Sequence, residues 1–168
     1  MKEEYSNRKQ WFLQYCSRTE QGVFKPRIEG VYYECPCCGY LILNGRGKNE
    51  ICPLCNWEDD GQDDPHADEV WGGPNYYLSL TAARKNFSKH LISLDPRDKR
   101  FEIHNSEIIK EAKRKMMATY DVMCNETDEE KRGSLLKEIE KTRQFLREET
   151  HRRFHEYREQ QFNGKTNP

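Results

Sequence analysis

Two short cysteine motifs constrain the fold of this chain more than any other feature. They read C-P-C-C-G at residues 35–39 and C-P-L-C-N at residues 52–56, and thirteen residues separate Cys38 from Cys52. Two C-x-x-C pairs at this separation let four thiolates converge on one tetrahedral ion, which is the arrangement of structural zinc. Each proline fixes φ at the start of a turn, and Gly39 or Asn56 can adopt the left-handed conformation that ends it.

Aligning the two motifs distinguishes the expected ligands from an additional thiol. Cys37 aligns with Leu54 at the variable position of the turn, so the predicted zinc ligands are Cys35, Cys38, Cys52 and Cys55. An iron–sulfur cluster is the alternative, because thiolates also bind iron. Disulfides would require an exported protein, whereas the chain shows neither an apolar signal segment nor a membrane-spanning run. A cytoplasmic protein with one structural Zn²⁺ ion and no membrane contact is therefore predicted.

Composition limits the size of the core and the kind of partner. Of the 168 residues, 35% are apolar and 34% are charged, so the core must be modest for the length. The net charge of -1 argues against a protein whose affinity comes from neutralising phosphates. Apolar side chains concentrate before Leu94, and charged ones dominate after Asn105. The predicted fold class is α+β, with a small β zinc ribbon followed by a helix, a flanking N-terminal helix and a C-terminal antiparallel helical hairpin.

Four segments are predicted along the chain. Residues 1–28 form an N-terminal helix and linker, with the helix over residues 3–18, and residues 29–94 form the zinc-ribbon-like domain. After a linker over residues 94–104, residues 105–162 form a charged helical hairpin, and residues 163–168 form a disordered tail. Within the ribbon, residues 31–34 and 41–43 are predicted strands, and a third strand follows the turn at 44–47 and approaches Cys52. About thirty residues bury too little apolar surface to fold alone, so the metal must contribute to stability.

Three further helices follow from capping residues and apolar spacing. Ser79 is the expected N-cap of a helix over residues 80–93. Asn105 is the expected cap of a helix over about 106–124, and Thr127 with Glu130 forms a capping box that begins a helix ending near residue 161. Residues 105–162 contain thirteen basic and thirteen acidic residues, so the hairpin is charge-balanced. Its narrow apolar stripe must pack on the ribbon, on itself or on another chain, which would form a homo-oligomer. The two stripes are Ile109, Ala112, Met116, Tyr120 and Met123, and Leu135, Leu136, Ile139, Leu146, Phe154 and Tyr157.

An acidic loop follows the second motif. Residues 57–69 contain seven carboxylates and neither lysine nor arginine, so they could bind a hard cation such as Mg²⁺, Ca²⁺ or Mn²⁺. Alternatively the carboxylates form turns, cap backbone amides and remain solvated. Beside these carboxylates, Trp57, Trp71 and the turn at 72–75 could bind a partner protein, or the tryptophans could form the small core of the ribbon. The candidate partner or second-ion residues are Trp57, Asp59, Asp60, Asp63, Asp64, His66, Trp71 and Asn75.

Four ordered blocks resemble the bacterial cysteine-rich CPCC family, over roughly residues 33–87. They are C-P-C-C-G-Y at 35–40, I-C-P-L-C-N-W-E-D-D-G-Q at 51–62, G-G-P-N at 72–75 and S-L-T-A-A-R-K-N-F at 79–87. The resemblance implies a small zinc-ribbon-like domain of undefined biochemical activity. Asn56 stands where relatives are expected to carry an aromatic residue, which leaves the ligands unchanged. The N-terminal helix and the charged hairpin lie outside the resemblance.

Other candidate sites are weaker. Four cysteines would fill the coordination sphere, so catalysis at that metal is not expected, and thiol redox chemistry with Cys37 is the alternative use. His151 and His155 share the spacing of two metal ligands on a helix, but no general base lies between them. The basic residues Lys110, Lys113, Arg114 and Lys115 could contact nucleic acid, although carboxylates are interspersed.

These patterns predict a non-catalytic zinc-binding module that binds a partner protein, in the form of an immunity or regulatory protein. Two alternatives from other classes remain. One is a zinc-ribbon protein that binds nucleic acid, and the other is a hydrolase that uses a second metal at the acidic loop, residues 58–69.

Overall fold

The computed structural model describes residues 32–163, together with Ser6 and Gln10, which are helical. Apart from these two residues, the N-terminal helix predicted over 3–18 lies outside the described residues. So does the predicted tail, except for Asn163, which is helical. None of the helices among the described residues combines the length and the apolar character that crossing a membrane requires.

The sheet of the ribbon has two short antiparallel strands, β1 (Tyr33–Glu34) and β2 (Leu41–Leu43). Tyr33 pairs with Leu43 and Glu34 with Leu41, so the first cysteine motif forms the connection between the strands. All three residues of β2 are buried, which explains why this strand is a continuous apolar run. The structure therefore has an antiparallel pair and several helices, which agrees with the α+β class.

The predicted third strand is wrong and is reduced to a single bridge between Ile51 and Glu58. Two residues in the left-handed conformation prevent a longer extended segment, since Asn49 has φ 55° and Asn56 has φ 64°. The backbone N–H and C=O of Glu58 that point away from Ile51 are also already hydrogen-bonded. The side-chain oxygen of Asn75 accepts from Glu58 N at 3.2 Å, and its Nδ2 donates to Glu58 O at 2.8 Å. A side-chain amide thus replaces a neighbouring strand.

Helix α1 spans Leu80–His90 and packs against the ribbon through Leu80, Ala83 and Phe87. Ser79 is its N-cap, as predicted, and its hydroxyl accepts a hydrogen bond from Ala82 N at 3.2 Å. The helix ends three residues before the predicted boundary. Leu91 adopts the left-handed conformation, with φ 58°, and its N–H bonds to Phe87 O at 2.8 Å.

A short helix, α2 (Phe101–His104), interrupts the predicted linker and changes how the next helix begins. Helix α3 spans Glu107–Asn125, and its N-cap is Ser106, whose hydroxyl accepts from Ile109 N at 3.4 Å. The predicted cap, Asn105, is wrong because this residue already serves as the C-terminal cap of α2. Asn105 and Ser106 are both residues that commonly form caps, and the position at which α2 ends leaves Ser106 as the N-cap of α3.

Helix α4 spans Glu129–Asn163, and the predicted capping box is not formed. Asp128 takes the capping position, since its Oδ1 accepts from Lys131 N at 2.9 Å. The carboxylate of Glu126 accepts from the backbone N–H groups of Thr127 and Asp128, each at 2.9 Å. Charged carboxylates therefore satisfy the first amides, where the neutral Thr127 hydroxyl was expected.

Helices α3 and α4 run antiparallel. Lys115 pairs with Glu138 at 3.0 Å, and further from the turn Arg153 Nε donates to Ile103 O at 2.7 Å. The predicted stripe of α3 is buried or partly buried along its length, whereas in that of α4 only Ile139 and Leu146 are buried. Phe154 is 42% exposed, contrary to the predicted stripe.

The hairpin packs directly on the ribbon, and both share one apolar core. The Tyr120 hydroxyl on α3 donates to Leu41 O, and the Tyr120 and Tyr40 rings lie 4.9 Å apart. On α4, Arg143 and Arg147 contact the Glu50 carboxylate at 3.4 Å and 2.9 Å. Because Arg143 is buried, this contact is shielded from solvent more than a surface ion pair.

Burial of His104 makes stability depend on pH. Its pKa is lowered to about 3, chiefly by burial, and the charges of Lys113 and Arg100 lower it further. The folded protein therefore keeps His104 neutral, while the unfolded chain binds a proton below about pH 6.5. Lowering the pH from 7 to 5 is expected to cost about 2 kcal/mol through this residue.

Urea denaturation of the wild type and His104→Asn at both pH values measures this cost. The variant should lose less stability on acidification, whereas His151→Gln, which removes an exposed histidine, should follow the wild type. Equal losses for the wild type and His104→Asn would show that His104 does not carry the effect.

Candidate metal centre

The two cysteine motifs adopt the same backbone structure. In the first, Cys35 N bonds to Tyr40 O at 2.9 Å and Gly39 N to Cys35 O at 2.8 Å. In the second, Cys52 N bonds to Trp57 O and Asn56 N to Cys52 O, each at 2.8 Å. Gly39 has φ 74° and Asn56 has φ 64°, which confirms the left-handed turn ends that were predicted. Each motif is thus a preformed turn that directs both sulfurs inward.

The four aligned cysteines, Cys35, Cys38, Cys52 and Cys55, form one compact quartet. Their sulfur atoms all lie within 4.8 Å of one another, and each residue is at most 1% exposed. The Cys35 and Cys55 sulfurs are 3.5 Å apart, and the Cys38 and Cys52 sulfurs are 3.8 Å apart. These separations exceed a disulfide bond of about 2 Å. They agree with the sulfur–sulfur distance of about 3.8 Å in a tetrahedral site with bonds of about 2.3 Å to zinc.

The protonation of the quartet also favours a cation. Burial raises the pKa of the thiols of Cys35, Cys38 and Cys55. Burial acts in the same direction on Cys52, but hydrogen bonds from the three other thiols stabilise its thiolate and hold its pKa well below the ordinary value. Burial therefore opposes the ionisation of the quartet as a whole. Ionising all four requires a positive charge at their centre, and the residues present fit a metal ion such as Zn²⁺.

Neighbouring elements hold the quartet in place. The Arg84 guanidinium on α1 donates to Pro36 O from Nε at 2.9 Å and from Nη2 at 2.7 Å. Ser93 N donates to Cys55 O at 2.6 Å, just beyond the end of α1. Cys37 is buried but is not part of the quartet. The sulfurs are therefore enclosed by the protein, and no side of the quartet is exposed to solvent.

The acidic loop is tied to the ribbon by an arginine from the preceding turn. Arg46 Nε lies 3.1 Å from Asp59 Oδ2, and Arg46 Nη1 lies 3.2 Å from Asp63 Oδ2. Asp59 is fully buried and also accepts from Gly47 N at 2.7 Å. These two carboxylates therefore position the loop against the turn.

The other loop residues make similar internal contacts. Asp64 pairs with Arg84 at 2.6 Å, and Asp60 accepts from Gln62 N at 3.0 Å and from Asn75 Nδ2 at 3.1 Å. The buried Gln62 donates to two backbone carbonyls of the loop, His66 O at 2.7 Å and Glu69 O at 2.8 Å. Among the described residues, the cysteine quartet is the only cluster of three or more metal-binding side chains close enough to share an ion.

The two tryptophans of the loop region have different environments. Trp57 is fully buried beneath the ribbon, whereas Trp71 is 47% exposed and its Nε1 donates to Glu69 Oε2 at 2.9 Å. The His66 and Trp71 rings lie 5.7 Å apart. Three further apolar side chains that are near Trp71 in the sequence are exposed, and we call the set the aromatic surface: Val70, Trp71, Tyr76 and Tyr77.

Tyr76 has a strained backbone within the aromatic surface. Its φ is 57° and its ψ is -117°, which lies outside the regions that bulky residues normally occupy. The Arg100 guanidinium lies 4.8 Å from the centroid of the Tyr76 ring and covers one face of it. An aromatic side chain that is 57% exposed is therefore held in a fixed position at a backbone cost.

The remaining candidates do not form a site together with the quartet. His151 and His155 are exposed on α4 with ring centroids 5.7 Å apart. The predicted basic cluster does not form one surface patch, because Lys113 is buried while Lys115 pairs with Glu138. Sequence reasoning missed the structural roles of Arg46, Gln62 and Arg84. For Arg46, a signal was its position in the turn that precedes a loop without any basic residue of its own.

Comparison with known families agrees with this geometry. Residues 33–101 match the family model described as Cysteine-rich CPCC, which confirms the predicted resemblance and extends it by fourteen residues. The match covers less than half of the chain and leaves α3 and α4 outside. The chain shows no significant match to a curated protein or to a solved structure.

Proposed function

We propose that this protein, whose residues 33–101 carry a cysteine-rich CPCC domain, is a non-catalytic module that binds a partner protein. One structural Zn²⁺ ion would hold the ribbon, with Cys35, Cys38, Cys52 and Cys55 as its ligands. The observation that carries this proposal is the enclosed quartet of sulfurs, each residue of which is at most 1% exposed. Four protein ligands leave no open coordination position for water or substrate.

The aromatic surface is the proposed site of partner binding. Tryptophan, tyrosine and arginine are the residues that most often dominate the energy of protein interfaces. Here Trp71, Tyr76 and Tyr77 are each exposed, and the Arg100 guanidinium lies over the Tyr76 ring. The strained backbone of Tyr76 supports the same role, because strain of this kind concentrates at functional sites. In the form that we favour, the module is an immunity or regulatory protein that blocks a toxin or an enzyme.

A single purification tests both parts of the proposal. The full chain is isolated from its host cells, and the same sample is analysed for metal content and for co-purifying protein. We expect one zinc ion per chain and one stable partner. The double variant Trp71→Ala/Tyr77→Ala should retain the zinc and lose the partner, because truncating two hot-spot residues typically costs about 2 kcal/mol each.

Phe154→Ala is the matched control, since it removes an exposed aromatic side chain from α4, away from the aromatic surface. This variant should retain the partner. Iron in place of zinc would contradict the metal assignment. Unchanged partner recovery with the double variant, or salt-dependent binding of nucleic acid in place of a protein, would contradict the interaction assignment.

A further inference from the structure

Lys113 on α3 is buried in an unusual way for a lysine. It is 2% exposed, and its Nζ donates a hydrogen bond to Leu91 O at 2.7 Å. Nearby lysines on the same helix pair with carboxylates, Lys110 with Glu107 and Lys115 with Glu138. Lys113 forms no ion pair with a carboxylate within the part of the chain that the structure describes. A buried lysine without an opposite charge tends to lose its proton, so an ammonium at this position depends on a compensating charge.

The cysteine quartet is a source of negative charge for Lys113, since the charges of Cys55, Cys52 and Cys38 act to raise the pKa of its ammonium. The backbone turn that holds Lys113 through Leu91 O also holds the quartet, because Ser93 N donates to Cys55 O at 2.6 Å. Burial lowers the pKa of Lys113 to about 8, while the charges of Cys55, Cys52 and Cys38 act in the opposite direction. The Lys113 ammonium is therefore mainly protonated at pH 7.

A bound metal ion increases the need for the positive charge of Lys113. A divalent ion with four thiolate ligands carries two net negative charges in a site that excludes water. We propose that Lys113 is the buried counter-charge of the metal centre, a positioning residue that strengthens metal binding by offsetting this negative charge from α3. The inference rests on the proposed metal site.

The proposed role of Lys113 links the segment that matches the family model to a helix outside it. Lys113 lies beyond residue 101, on a helix that the CPCC family model does not cover. Tyr120, also on α3, contacts the ribbon strand at Leu41, so the same helix is fixed on the ribbon at a second point. The affinity of the centre for Zn²⁺ therefore depends on the helical hairpin as well as on the four cysteines.

Competition with a chromogenic chelator at pH 7 tests the role of Lys113 in the full chain. Zn²⁺ affinity is measured for the wild type and for Lys113→Met, Lys113→Arg and Lys115→Met. We expect Lys113→Met to bind Zn²⁺ about 10- to 100-fold more weakly, which is the usual effect of removing a group that supports metal ligands. Lys113→Arg should recover most of the affinity because it keeps the charge. Lys115→Met, at an exposed position, should resemble the wild type.

The outcomes separate this inference from the proposed function. A wild type that binds no Zn²⁺ would overturn both. A wild type that binds Zn²⁺ no more tightly than Lys113→Met would overturn the counter-charge role alone. Equal weakening in Lys113→Met and Lys113→Arg would also overturn it, because packing would then explain the loss. If circular dichroism shows that Lys113→Met is unfolded, Lys113→Gln keeps a hydrogen-bond donor without charge and should show the same weakened binding.

Discussion

Replacing Cys52 with serine is expected to abolish metal binding and to unfold the ribbon. The quartet would lose one of four sulfurs, and a hydroxyl is a poor ligand for Zn²⁺ compared with a thiolate. Structural zinc contributes on the order of 10 kcal/mol of apparent binding free energy in small domains. This is comparable to the total stability of about 5–15 kcal/mol that is typical of a folded protein. Because the quartet belongs to the same apolar core as α1, α3 and α4, helical structure should be lost as well.

Elemental analysis and far-ultraviolet circular dichroism measure both effects in Cys52→Ser. The matched control is Cys37→Ala, which removes the buried thiol that lies outside the quartet and should keep one zinc ion and a cooperative melting transition. Wild-type protein treated with a strong chelator should behave like Cys52→Ser. Retention of metal and fold by Cys52→Ser would contradict the assignment of this ligand, and loss of metal from Cys37→Ala would contradict the alignment of the two motifs.

Truncating Trp57 is expected to have the largest effect of any substitution outside the quartet. Its side chain is fully buried, and its backbone carbonyl accepts the hydrogen bond from Cys52 N at 2.8 Å. Replacing a buried tryptophan with alanine removes apolar contacts and leaves a cavity, at a cost of about 3–5 kcal/mol. The loss is measured as the change in free energy of unfolding by urea, with Zn²⁺ present in excess.

Trp71→Ala provides the comparison for Trp57→Ala. The same side chain is removed, but from a position that is 47% exposed, so stability should change by less than about 0.5 kcal/mol. The two variants thus separate the structural tryptophan from the one assigned to the aromatic surface. A similar loss of stability in both would show that Trp71 also belongs to the folded core.

The cysteine motifs could be interpreted from sequence because their structure is local. The two turns close within five or six residues, and proline, glycine and asparagine at fixed positions determine their backbone conformation. Ser79 was identified correctly as an N-cap for the same reason. The cap of α3 was not, because Asn105 and Ser106 are equally suitable and the choice depends on where α2 ends.

The acidic loop could not be interpreted in this way because its partners are distant in sequence. Asp59 binds an arginine thirteen residues earlier, and Asp64 binds one twenty residues later. Whether a carboxylate binds an ion, a solvent molecule or an arginine depends on how the chain folds between the carboxylate and its possible partners. The buried position of Lys113 depends likewise on how α3 packs, since four closely spaced basic residues gave no sign of which one faces the ribbon.

The hydrogen bond from Tyr120 to Leu41 has a consequence for any chain that carries only the segment equivalent to residues 33–101. In such a chain the Leu41 carbonyl would lose its hydrogen-bond donor, and the Tyr40 ring would lose its aromatic neighbour. We therefore expect a chain of that length to replace the lost contacts, either with a fused segment or with a second subunit.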